Sequence, residues 1–279
     1  MKLIIHGGFF SEASSDAATR KAKQDSLSEI VTSAANYLKT SSALETVVFT
    51  VTLLENNELF NAGKGSQIQA DGKIRMSASI MDGATMKFSG VINIEDVKNP
   101  IRVAEKLLSY DDRVLEGAGA LHFARKTGFN YFNPETSSRR TEYEHRLKSS
   151  GLGTVGCVAL DDNGHLAAAT STGGKGFEIP GRVSDSATTA GNYANEFAAV
   201  SCTGVGEDIV SAALASSIVF RISDGATPDT AIQKSFHDLS LINGFAGAIG
   251  IDQKGNVFHR DSHPYMVWAK WDGQVDIFK

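Results

Sequence analysis

The feature that most restricts how this chain can fold is the run Gly153-Thr154-Val155-Gly156-Cys157-Val158, because it follows a long polar stretch. Residues 129–152 contain Asn, Pro, Ser, Arg and Glu without an apolar period. An irregular stretch of this length is uncommon inside a compact domain. The pattern predicts a mobile linker over about residues 129–153, ending at the head of a buried strand.

Thr154 is a candidate nucleophile at the start of that strand. A threonine hydroxyl at its free pKa is weak and needs an adjacent base, and the nearest upstream histidine, His145, lies in a polar segment. Cutting the Gly153–Thr154 bond would create a base on the same residue, because an α-amine has a pKa of ~7.7–8.0. Glycine can hold the strained backbone that an N→O acyl shift requires. Taken alone, Gly-Thr-Val is more typical of a threonine that merely opens a buried strand.

Composition and charge restrict the partners and the compartment. The chain has 279 residues, 42% of them hydrophobic and 21% charged, with a net charge of −5 and no Lys/Arg run. We therefore expect a small-molecule or peptide ligand, with no nucleic-acid or membrane partner. The two cysteines, Cys157 and Cys202, form no paired motif and are predicted to be buried thiols. The N-terminal apolar run is too short for a signal peptide, which predicts a cytoplasmic protein.

Other catalytic signatures are missing from the sequence. It contains no Gly-x-Ser-x-Gly, Ser-x-x-Lys or His-Glu-x-x-His motif. Residues 61–66 lack the four-residue spacer of a phosphate loop, which excludes nucleotide binding there.

Three further blocks follow Thr154, namely residues 170–174 (Thr-Ser-Thr-Gly-Gly), 180–186 (Pro-Gly-Arg-Val-Ser-Asp-Ser) and 202–207 (Cys-Thr-Gly-Val-Gly-Glu). In this order they resemble the plant-type asparaginase / isoaspartyl aminopeptidase family of N-terminal-nucleophile (Ntn) hydrolases. Phe-Asn-Ala-Gly at residues 60–63 and Met-Asp-Gly at residues 81–83 also match. The resemblance covers nearly the whole chain and is weaker at both ends.

The resemblance implies an autoprocessed threonine hydrolase, cut into residues 1–153 and 154–279. Such an enzyme cleaves the β-amide of L-asparagine and isoaspartyl dipeptides through an acyl-enzyme, without a catalytic cofactor and as a homodimer of cleaved protomers. Two alternatives stay open. One is an N4-(β-N-acetylglucosaminyl)-L-asparaginase with the same fold and nucleophile. The other is an unprocessed, non-catalytic relative that serves as a binding or structural protein.

Arg182 and Asp185 are candidate substrate ligands. A planar guanidinium can bind a carboxylate in a bidentate manner, and an aspartate three residues later could accept the substrate ammonium. An isolated Arg-x-x-Asp is more often a surface ion pair. Because the block matches the family, we favour the interpretation that the two residues bind the free amino-acid end of asparagine or of an isoaspartyl unit. Ser184 and Ala187 stand where relatives usually have glycine and proline, and either difference could retune the pocket.

The remaining site residues come from the other blocks. Thr203 and Gly204 offer a hydroxyl and a backbone N–H, which together could form an oxyanion hole, although the same residues could simply be a turn into a helix. The resemblance implies that Gly206 helps to bind substrate and that Thr172 orients the nucleophile. It places Asn61 beside the site.

Relatives hold a structural sodium ion through backbone carbonyls in the loop before and through the Phe-Asn-Ala-Gly block. Carbonyl ligands leave no side-chain signature, so a plain helix-to-strand turn fits the same residues. The carbonyl candidates implied by the resemblance are Leu54, Glu55, Asn57, Phe60, Ala62 and Lys64.

Periodicity predicts an α+β chain, and the resemblance refines this to a four-layer αββα sandwich of the Ntn-hydrolase type. Residues 45–55 favour a strand by propensity but a helix by resemblance, and we follow the resemblance. The first strand should end at Gly7-Gly8, and the first helix should be capped by Ser15 or Asp16. Helices are predicted over residues 16–39, 45–55, 101–109, 114–126, 206–222 and 228–239. Strands are predicted over residues 2–6, 67–70, 73–80, 88–94, 155–160, 165–170, 247–251 and 256–259, the last two as the final hairpin.

Overall fold

The computed structural model describes residues 1–10, 16–145, 153–263 and 265–279. These parts of the chain form a mixed α+β structure with helices and two sheets. The helices are α1 (Ala17–Leu38), α2 (Ala43–Glu55), α3 (Pro100–Leu107), α4 (Gly117–Lys126), α5 (Ser137–Glu144), α6 (Gly206–Ala212), α7 (Leu214–Ser223) and α8 (Pro228–Leu241). The strands are β1 (Lys2–Phe9), β2 (Met76–Asp82), β3 (Lys87–Ile94), β4 (Val114–Glu116), β5 (Val155–Leu160), β6 (Leu166–Thr172), β7 (Asn192–Ala194), β8 (Ala198–Gly204), β9 (Ala246–Asp252), β10 (Val257–Asp261), β11 (Met266–Trp271) and β12 (Val275–Ile277).

The larger sheet has the order β12-β11-β1-β5-β6-β2-β3-β4, and the smaller sheet has the order β10-β9-β8-β7. Neighbouring strands are antiparallel except for the parallel pair β3 and β4. The strand that Thr154 precedes, β5, therefore lies in the middle of the larger sheet between β1 and β6. A central strand is held on both edges, so the residue at its head is well fixed.

The central strands are buried on both faces. In β1, Leu3 and Ile5 join the core cluster that also contains α1 and α2 residues, while Ile4 joins the cluster with α7 and α8 residues. Residues two apart on a strand share a face, so successive apolar residues of β1 contribute alternately to the two core clusters, one on each face of the sheet. Helices α1, α2 and α3 contact the larger sheet, α7 contacts the smaller sheet, and β5 and β6 contact β8 across the sheets.

Local capping signals set several helix starts. Asp16 accepts a hydrogen bond from the Thr19 N–H at the start of α1, and Thr227 accepts one from the Thr230 N–H before α8. Each bond satisfies a backbone donor that the helix leaves without a partner. The prediction of Asp16 as one of two candidate caps is confirmed, and the other candidate, Ser15, lies outside the described residues.

The helix predicted over residues 45–55 is confirmed as α2. Ser42 and Glu45 form a reciprocal capping box at its start. Thr46 and Thr50 then donate their hydroxyl groups to carbonyls four residues earlier, at Ser42 and Thr46. These bonds satisfy the threonine hydroxyls but do not strengthen the helix, so the capping box and burial of α2 must offset the poor helix propensity of a stretch rich in threonine and valine.

Several strand predictions need correction. The first strand does not end at Gly7-Gly8, because β1 continues to Phe9 and pairs with β11. Residues 67–70 are not a strand, although the turn at residues 71–72 forms, and β2 begins only at Met76. The hairpin formed by β9 and β10 is confirmed, but it is not the last one, since β11 and β12 follow it.

Two helix predictions also need correction. The helix predicted over residues 206–222 is broken at Ala213, which has a left-handed backbone with φ of 46° and separates α6 from α7. The stretch predicted as a helix from residue 114 begins as the short strand β4, and α4 starts only at Gly117. The hairpin of β5 and β6 and the helix α8 are confirmed.

The predicted linker over residues 129–153 contains a helix, α5. No residue of α5 is fully buried, and the helix is held by the Thr136 cap, by an ion pair of 2.7 Å between Arg139 and Glu142, and by Tyr143, which packs against the larger core cluster and stacks on Phe177. Arg139 Nε also donates to the Gly65 carbonyl at 2.8 Å. The missing apolar period therefore did not exclude a helix, and residues 146–152 lie outside the described part of the chain.

Cys157 and Cys202 are buried free thiols, as predicted. Among the helices that the structure describes, none combines the length and apolarity needed to cross a bilayer.

Candidate active site

Thr154 lies buried at the head of β5, with its side chain directed at Thr172 on the neighbouring strand. Its Oγ1 donates to Thr172 Oγ1 at 3.1 Å, and the Gly174 N–H donates to the same Thr172 oxygen at 3.2 Å. The antiparallel register that pairs Val155 with Ser171 brings the two threonines together. Thr172 is therefore in position to orient the Thr154 hydroxyl, which is the role that the resemblance implied.

Asn61 links the Gly153–Thr154 junction to the end of β6. A Cβ atom on Gly153 would lie 2.7 Å from Asn61 Cβ, a distance that a real side chain could not adopt, so glycine is required. Asn61 Nδ2 donates to the Gly174 carbonyl at 2.5 Å, and its Oδ1 accepts from the Gln67 N–H at 2.9 Å. The structure thus places Asn61 at the junction and also shows that it tethers the loop after β6.

Thr203 and Gly204 end β8. Thr203 is fully buried, and its Oγ1 has no hydrogen-bond partner within the described part of the chain. Gly204 has φ of +139°, and a Cβ there would lie 2.5 Å from the Phe245 carbonyl oxygen. A buried hydroxyl without a partner costs free energy, so one found at a candidate oxyanion site is a donor available to a ligand.

Arg182 does not form the surface ion pair with Asp185 that its spacing allowed. Its Nε and Nη2 instead donate to the two carboxylate oxygens of Glu207, each at 2.8 Å. Burial opposes the charge of Arg182, but the hydrogen bonds and attraction of Glu207 outweigh it and raise the pKa. The same hydrogen bonding lowers the pKa of Glu207 to about 2, so both groups stay charged.

Asp185 is a buried carboxyl beside this pair. Its Oδ2 has no hydrogen-bond partner among the described residues, and burial raises its pKa to about 7 despite the attraction of Arg182. A Cβ on Gly206 would lie 2.8 Å from Arg182 Nη2 and 2.9 Å from Asp185 Oδ1, so Gly206 lies against both side chains. An ammonium group would supply the charge and the hydrogen bonds that this carboxyl lacks.

Ser184 caps the short 3-10 turn Asp185–Ala187 through a 3.3 Å hydrogen bond from the Ser186 N–H. Ser184 and Ala187 are both buried next to Asp185 in sequence. Ser184 therefore helps to fix the turn on which Asp185 is carried.

The Thr154–Thr172 pair and the Arg182–Glu207 pair are connected through the loop after β6. Lys175, which follows Gly174, lies 3.4 Å from Glu207, the partner of Arg182. Together these residues, with Thr203 and Asp185, offer an oriented hydroxyl, a buried hydroxyl that has no partner in the described part of the chain, a guanidinium and a buried carboxyl. Chemically, this set can bind an α-amino acid and present a carbonyl for nucleophilic attack.

Sequence reasoning missed three residues at this site. Glu207 was quoted in the last block but was given no role, although it lies one position after Gly206. Glu178 is buried with one carboxylate oxygen unpartnered among the described residues, and a Cβ on Gly174 would lie 1.9 Å from its other oxygen. His6 is buried and hydrogen-bonded to the Thr154 carbonyl oxygen at 2.9 Å. The only signal for His6 was its place before Gly7-Gly8.

The loop after α2 gathers backbone carbonyls, as a structural cation site requires. A Cβ on Gly65 would lie 2.8 Å from the carbonyl oxygens of both Glu58 and Phe60, so these two oxygens face one space. The Glu55 carbonyl accepts from the Lys64 N–H at 2.7 Å, which closes the loop. Carbonyl oxygens are hard ligands of the kind that a hard cation such as sodium prefers. Of the six candidates, only the Phe60 carbonyl is one of these two, and the carbonyls of Glu55 and Asn57 accept backbone hydrogen bonds.

The side chain of Glu55 ties this loop to the nucleophile's neighbour strand. Its Oε1 accepts from Ser171 Oγ at 2.7 Å and from the Ile101 N–H at 3.0 Å. Ser171 precedes Thr172, so the end of α2 is fastened to the strand that carries the orienting threonine. Burial raises the pKa of Glu55 to about 7, and the Ser171 hydrogen bond opposes this rise.

Comparison with known proteins places the chain in a family. It matches the family model described as Asparaginase over residues 1–151 and 136–277. An isoaspartyl peptidase/L-asparaginase from Synechocystis sp. is 43% identical over 291 residues, which cover 98% of this chain and 88% of that protein. A plant-type L-asparaginase from Pyrococcus furiosus is 36% identical, with 96% and 95% covered. An isoaspartyl peptidase from Salmonella typhimurium is 35% identical, with 91% and 90% covered.

The chain therefore belongs to the asparaginase family, and the resemblance seen in its sequence blocks is confirmed.

Proposed function

We propose that this protein is an autoprocessed threonine hydrolase that cleaves the β-amide of L-asparagine and the β-aspartyl bond of isoaspartyl dipeptides. The observation that carries the proposal is the hydrogen bond from Thr154 to Thr172 at a Gly-Thr junction, in a chain where Arg182 also lies close to Asp185, a buried carboxyl with one oxygen unpartnered among the described residues. The relatives named isoaspartyl peptidase/L-asparaginase support the substrate class.

Maturation begins with the Thr154 hydroxyl. It attacks the Gly153 carbonyl, an N→O acyl shift follows, and water hydrolyses the ester, which leaves residues 1–153 and 154–279. Thr172 orients the hydroxyl for this attack. The freed α-amine of Thr154 has a pKa of ~7.7–8.0 and becomes the base for turnover.

Turnover uses the same hydroxyl on the substrate. The α-amine takes the proton as Thr154 Oγ1 attacks the β-carbonyl, and the Thr203 hydroxyl and Gly204 N–H stabilise the oxyanion. The amine then passes the proton to the leaving group, which departs as ammonia or an amino acid. Water next attacks the acyl-enzyme and releases aspartate.

Arg182 and Asp185 determine which carbonyl of the substrate faces Thr154. Glu207 occupies the Nε/Nη2 side of Arg182, which leaves the Nη1 end for the substrate α-carboxylate. Asp185 accepts the α-ammonium through the carboxylate oxygen that has no hydrogen-bond partner in the described part of the chain. With both α-groups held, the β-carbonyl is the one presented, so α-aspartyl peptides are not substrates.

A structural sodium ion fits the carbonyl loop. We assign it to the carbonyls of residues 54, 55, 57, 60, 62 and 64, where it would fix the loop that carries Asn61. The support is limited to the Phe60 carbonyl, whose oxygen lies near Gly65 together with that of Glu58, and to the Glu55 carbonyl, which accepts from the Lys64 N–H and so faces the same loop. Sodium should raise the melting temperature relative to a bulky cation such as tetramethylammonium at equal ionic strength, and an equal melting temperature in both salts would argue against the site.

We also propose the four-layer αββα arrangement and a homodimer of cleaved protomers. Contacts of α1–α3 with the larger sheet, of α7 with the smaller sheet, and between β5, β6 and β8 support the layers. Sedimentation equilibrium of the purified protein tests the dimer, and a single species of 29.7 kDa would refute it.

The decisive experiment compares the wild-type protein with Thr154→Ala and with Thr32→Ala, a matched change on the exposed face of α1. Wild type and Thr32→Ala should give two chains, the smaller beginning at Thr154, and should hydrolyse β-aspartyl-leucine. Thr154→Ala should stay folded, uncut and inactive. An intact wild-type chain after long incubation at neutral pH would favour a non-catalytic relative, and much faster turnover of glycosylated asparagine would favour the glycosylasparaginase activity.

A further inference from the structure

His6 is the one histidine that the fold buries completely, and it touches the nucleophile's main chain. Its Nδ1 lies 2.9 Å from the Thr154 carbonyl oxygen, and its Nε2 lies 2.9 Å from Ser201 Oγ. Ser201 Oγ in turn lies 2.7 Å from Thr170 Oγ1. All seven histidines are in the described residues, and the other six are exposed.

Gly156 makes room for this contact. His6 pairs with Gly156 across β1 and β5, and a Cβ on Gly156 would lie 2.4 Å from His6 Nε2 and 2.0 Å from Ser201 Oγ. Any other residue at this position would push the imidazole and the serine apart. The imidazole of His6, which lies against this position, therefore explains why the run of residues 153–158 has a glycine at residue 156.

The contacts fix the tautomer of His6. A carbonyl oxygen only accepts hydrogen bonds, so Nδ1 must carry the proton and donate to Thr154. Nε2 is then an acceptor for the Ser201 hydroxyl, and Ser201 can accept from Thr170. Burial lowers the pKa of His6 to about 3, although the hydrogen bond to Thr154 opposes this, so the ring is neutral at neutral pH. A neutral ring with both nitrogens engaged is not a base for catalysis.

The same contacts place His6 close to the candidate catalytic residues Thr154, Thr172 and Thr203. Ser201 and Thr203 are two residues apart on β8, and Thr170 and Thr172 are two residues apart on β6. Residues two apart share a strand face, so His6, Ser201 and Thr170 form a buried row next to the row of candidate catalytic threonines. This row joins β1, β6 and β8 to the head of β5.

We propose that His6 is a positioning residue that holds the main chain of the nucleophile through its Nδ1–H bond to the Thr154 carbonyl. The inference rests on the proposed role of Thr154. The contact lies on the C-terminal side of the Gly153–Thr154 bond, so it persists after cleavage, when Thr154 becomes a chain end. Thr154 precedes the first residue of the β5 ladder, Val155, so the bond restrains a residue that the sheet itself does not pair.

Two isosteric variants separate the contacts of His6. The amide nitrogen of His6→Asn can reach the position of Nδ1, and that of His6→Gln can reach the position of Nε2. His6→Asn therefore keeps the donor to Thr154, and His6→Gln keeps only the contact with Ser201. His237→Gln, on the exposed surface of α8, is the matched control.

We expect His6→Gln to lower kcat for β-aspartyl-leucine on the order of 10²-fold with KM unchanged, because misplacing a reacting atom by about 1 Å costs that much. His6→Asn should keep kcat at least about tenfold above His6→Gln, and cleavage rates should follow the same order. Circular dichroism and melting temperature establish that each variant is folded. Equal kcat in the two variants, an effect on KM instead of kcat, or two folded variants that both stay uncut would overturn the proposal.

A measurement on the unmodified protein tests the contact without any variant. In nitrogen-15 spectra of histidine-labelled protein, the buried ring should give one signal set that does not titrate, with the proton on Nδ1. A proton on Nε2, or titration of all seven histidines between pH 5 and 8, would refute the assignment. An inactive, uncut wild-type protein would count against the role of Thr154, whereas an active wild type with equivalent Asn and Gln variants would count against His6 alone.

Discussion

Asp185 gives a prediction in which stability and activity change in opposite directions. Its carboxyl is buried with one oxygen unpartnered among the described residues, and burial raises the pKa from an ordinary 3.8 to about 7. Asp185→Asn keeps the shape of the side chain and removes the charge. The amide carries no charge, so the folded variant avoids the free-energy cost of burying an ionised carboxylate.

The size and pH range of this cost follow from linkage. Below about pH 3 the group is largely neutral in the folded and unfolded states, and well above 7 it is charged in both. In between, the unfolded state has released a proton that the folded state keeps, so stability falls as pH rises. The gap between the two pKa values corresponds to roughly 4 kcal/mol above pH 7. Asp185→Asn should be more stable than the parent by up to that amount at pH 8 and by progressively less toward pH 5.

Urea unfolding of the two proteins at pH 5, 6, 7 and 8 measures the effect. Both should carry Thr154→Ala, so that one intact chain unfolds, and the exposed Asp111→Asn serves as the control. In the cleaved wild-type background, Asp185→Asn should lose most of kcat/KM because the substrate ammonium loses its partner. A stability difference that does not change with pH, or a less stable Asp185→Asn at pH 8, would show that the buried charge is already compensated.

Three further substitutions test the other parts of the site. Arg182→Ala should still be cleaved at the Gly153–Thr154 bond, while kcat/KM for β-aspartyl-leucine falls by an equivalent of about 2–5 kcal/mol. Unchanged hydrolysis would refute the assignment of Arg182 to the substrate carboxylate, and loss of cleavage would give Arg182 a structural role. Glu207→Gln should raise KM by at most about fivefold with kcat unchanged, because the lost ion pair is half-exposed, and a lower KM would show that Glu207 competes with substrate. Thr203→Val should lower kcat by about 10²–10³-fold. It should not lower the melting temperature, because the lost hydroxyl has no partner among the described residues. A clear loss of stability would point to a structural role for Thr203.

The sequence does indicate helix α2, but through the residues that cap it and not through the helix propensity of residues 45–55. Residues 45–55 favour a strand one by one, whereas Ser42 and Glu45 form a capping box that marks a helix start. The resemblance led to the right assignment. A direct search for Ser-x-x-Glu would have led there from the residues alone.

Other elements depend on contacts that no local pattern records. The break at Ala213 coincides with a 2.8 Å hydrogen bond from the Ala215 N–H to the distant Ala190 carbonyl, which a continuous helix would not make. Helix α5 relies on a cap, on ion pairs and on the single aromatic side chain of Tyr143, so an apolar period could not predict it. At the site, the partners of Arg182 and Thr154 are 25 and 148 residues away in sequence, and only the fold reveals them.

The strand order of the larger sheet changes what unfolding means once the Gly153–Thr154 bond is cut. Strands β1 to β4 would belong to one chain and β5, β6, β11 and β12 to the other, and β1 lies between β11 and β5. The two chains are therefore interleaved, and neither can leave without breaking sheet hydrogen bonds on both edges of β1. Unfolding then becomes dissociation, so recovery requires two polypeptides to meet and slows on dilution. The precursor can fold as one molecule, whereas the mature protein, once denatured, depends on concentration to return.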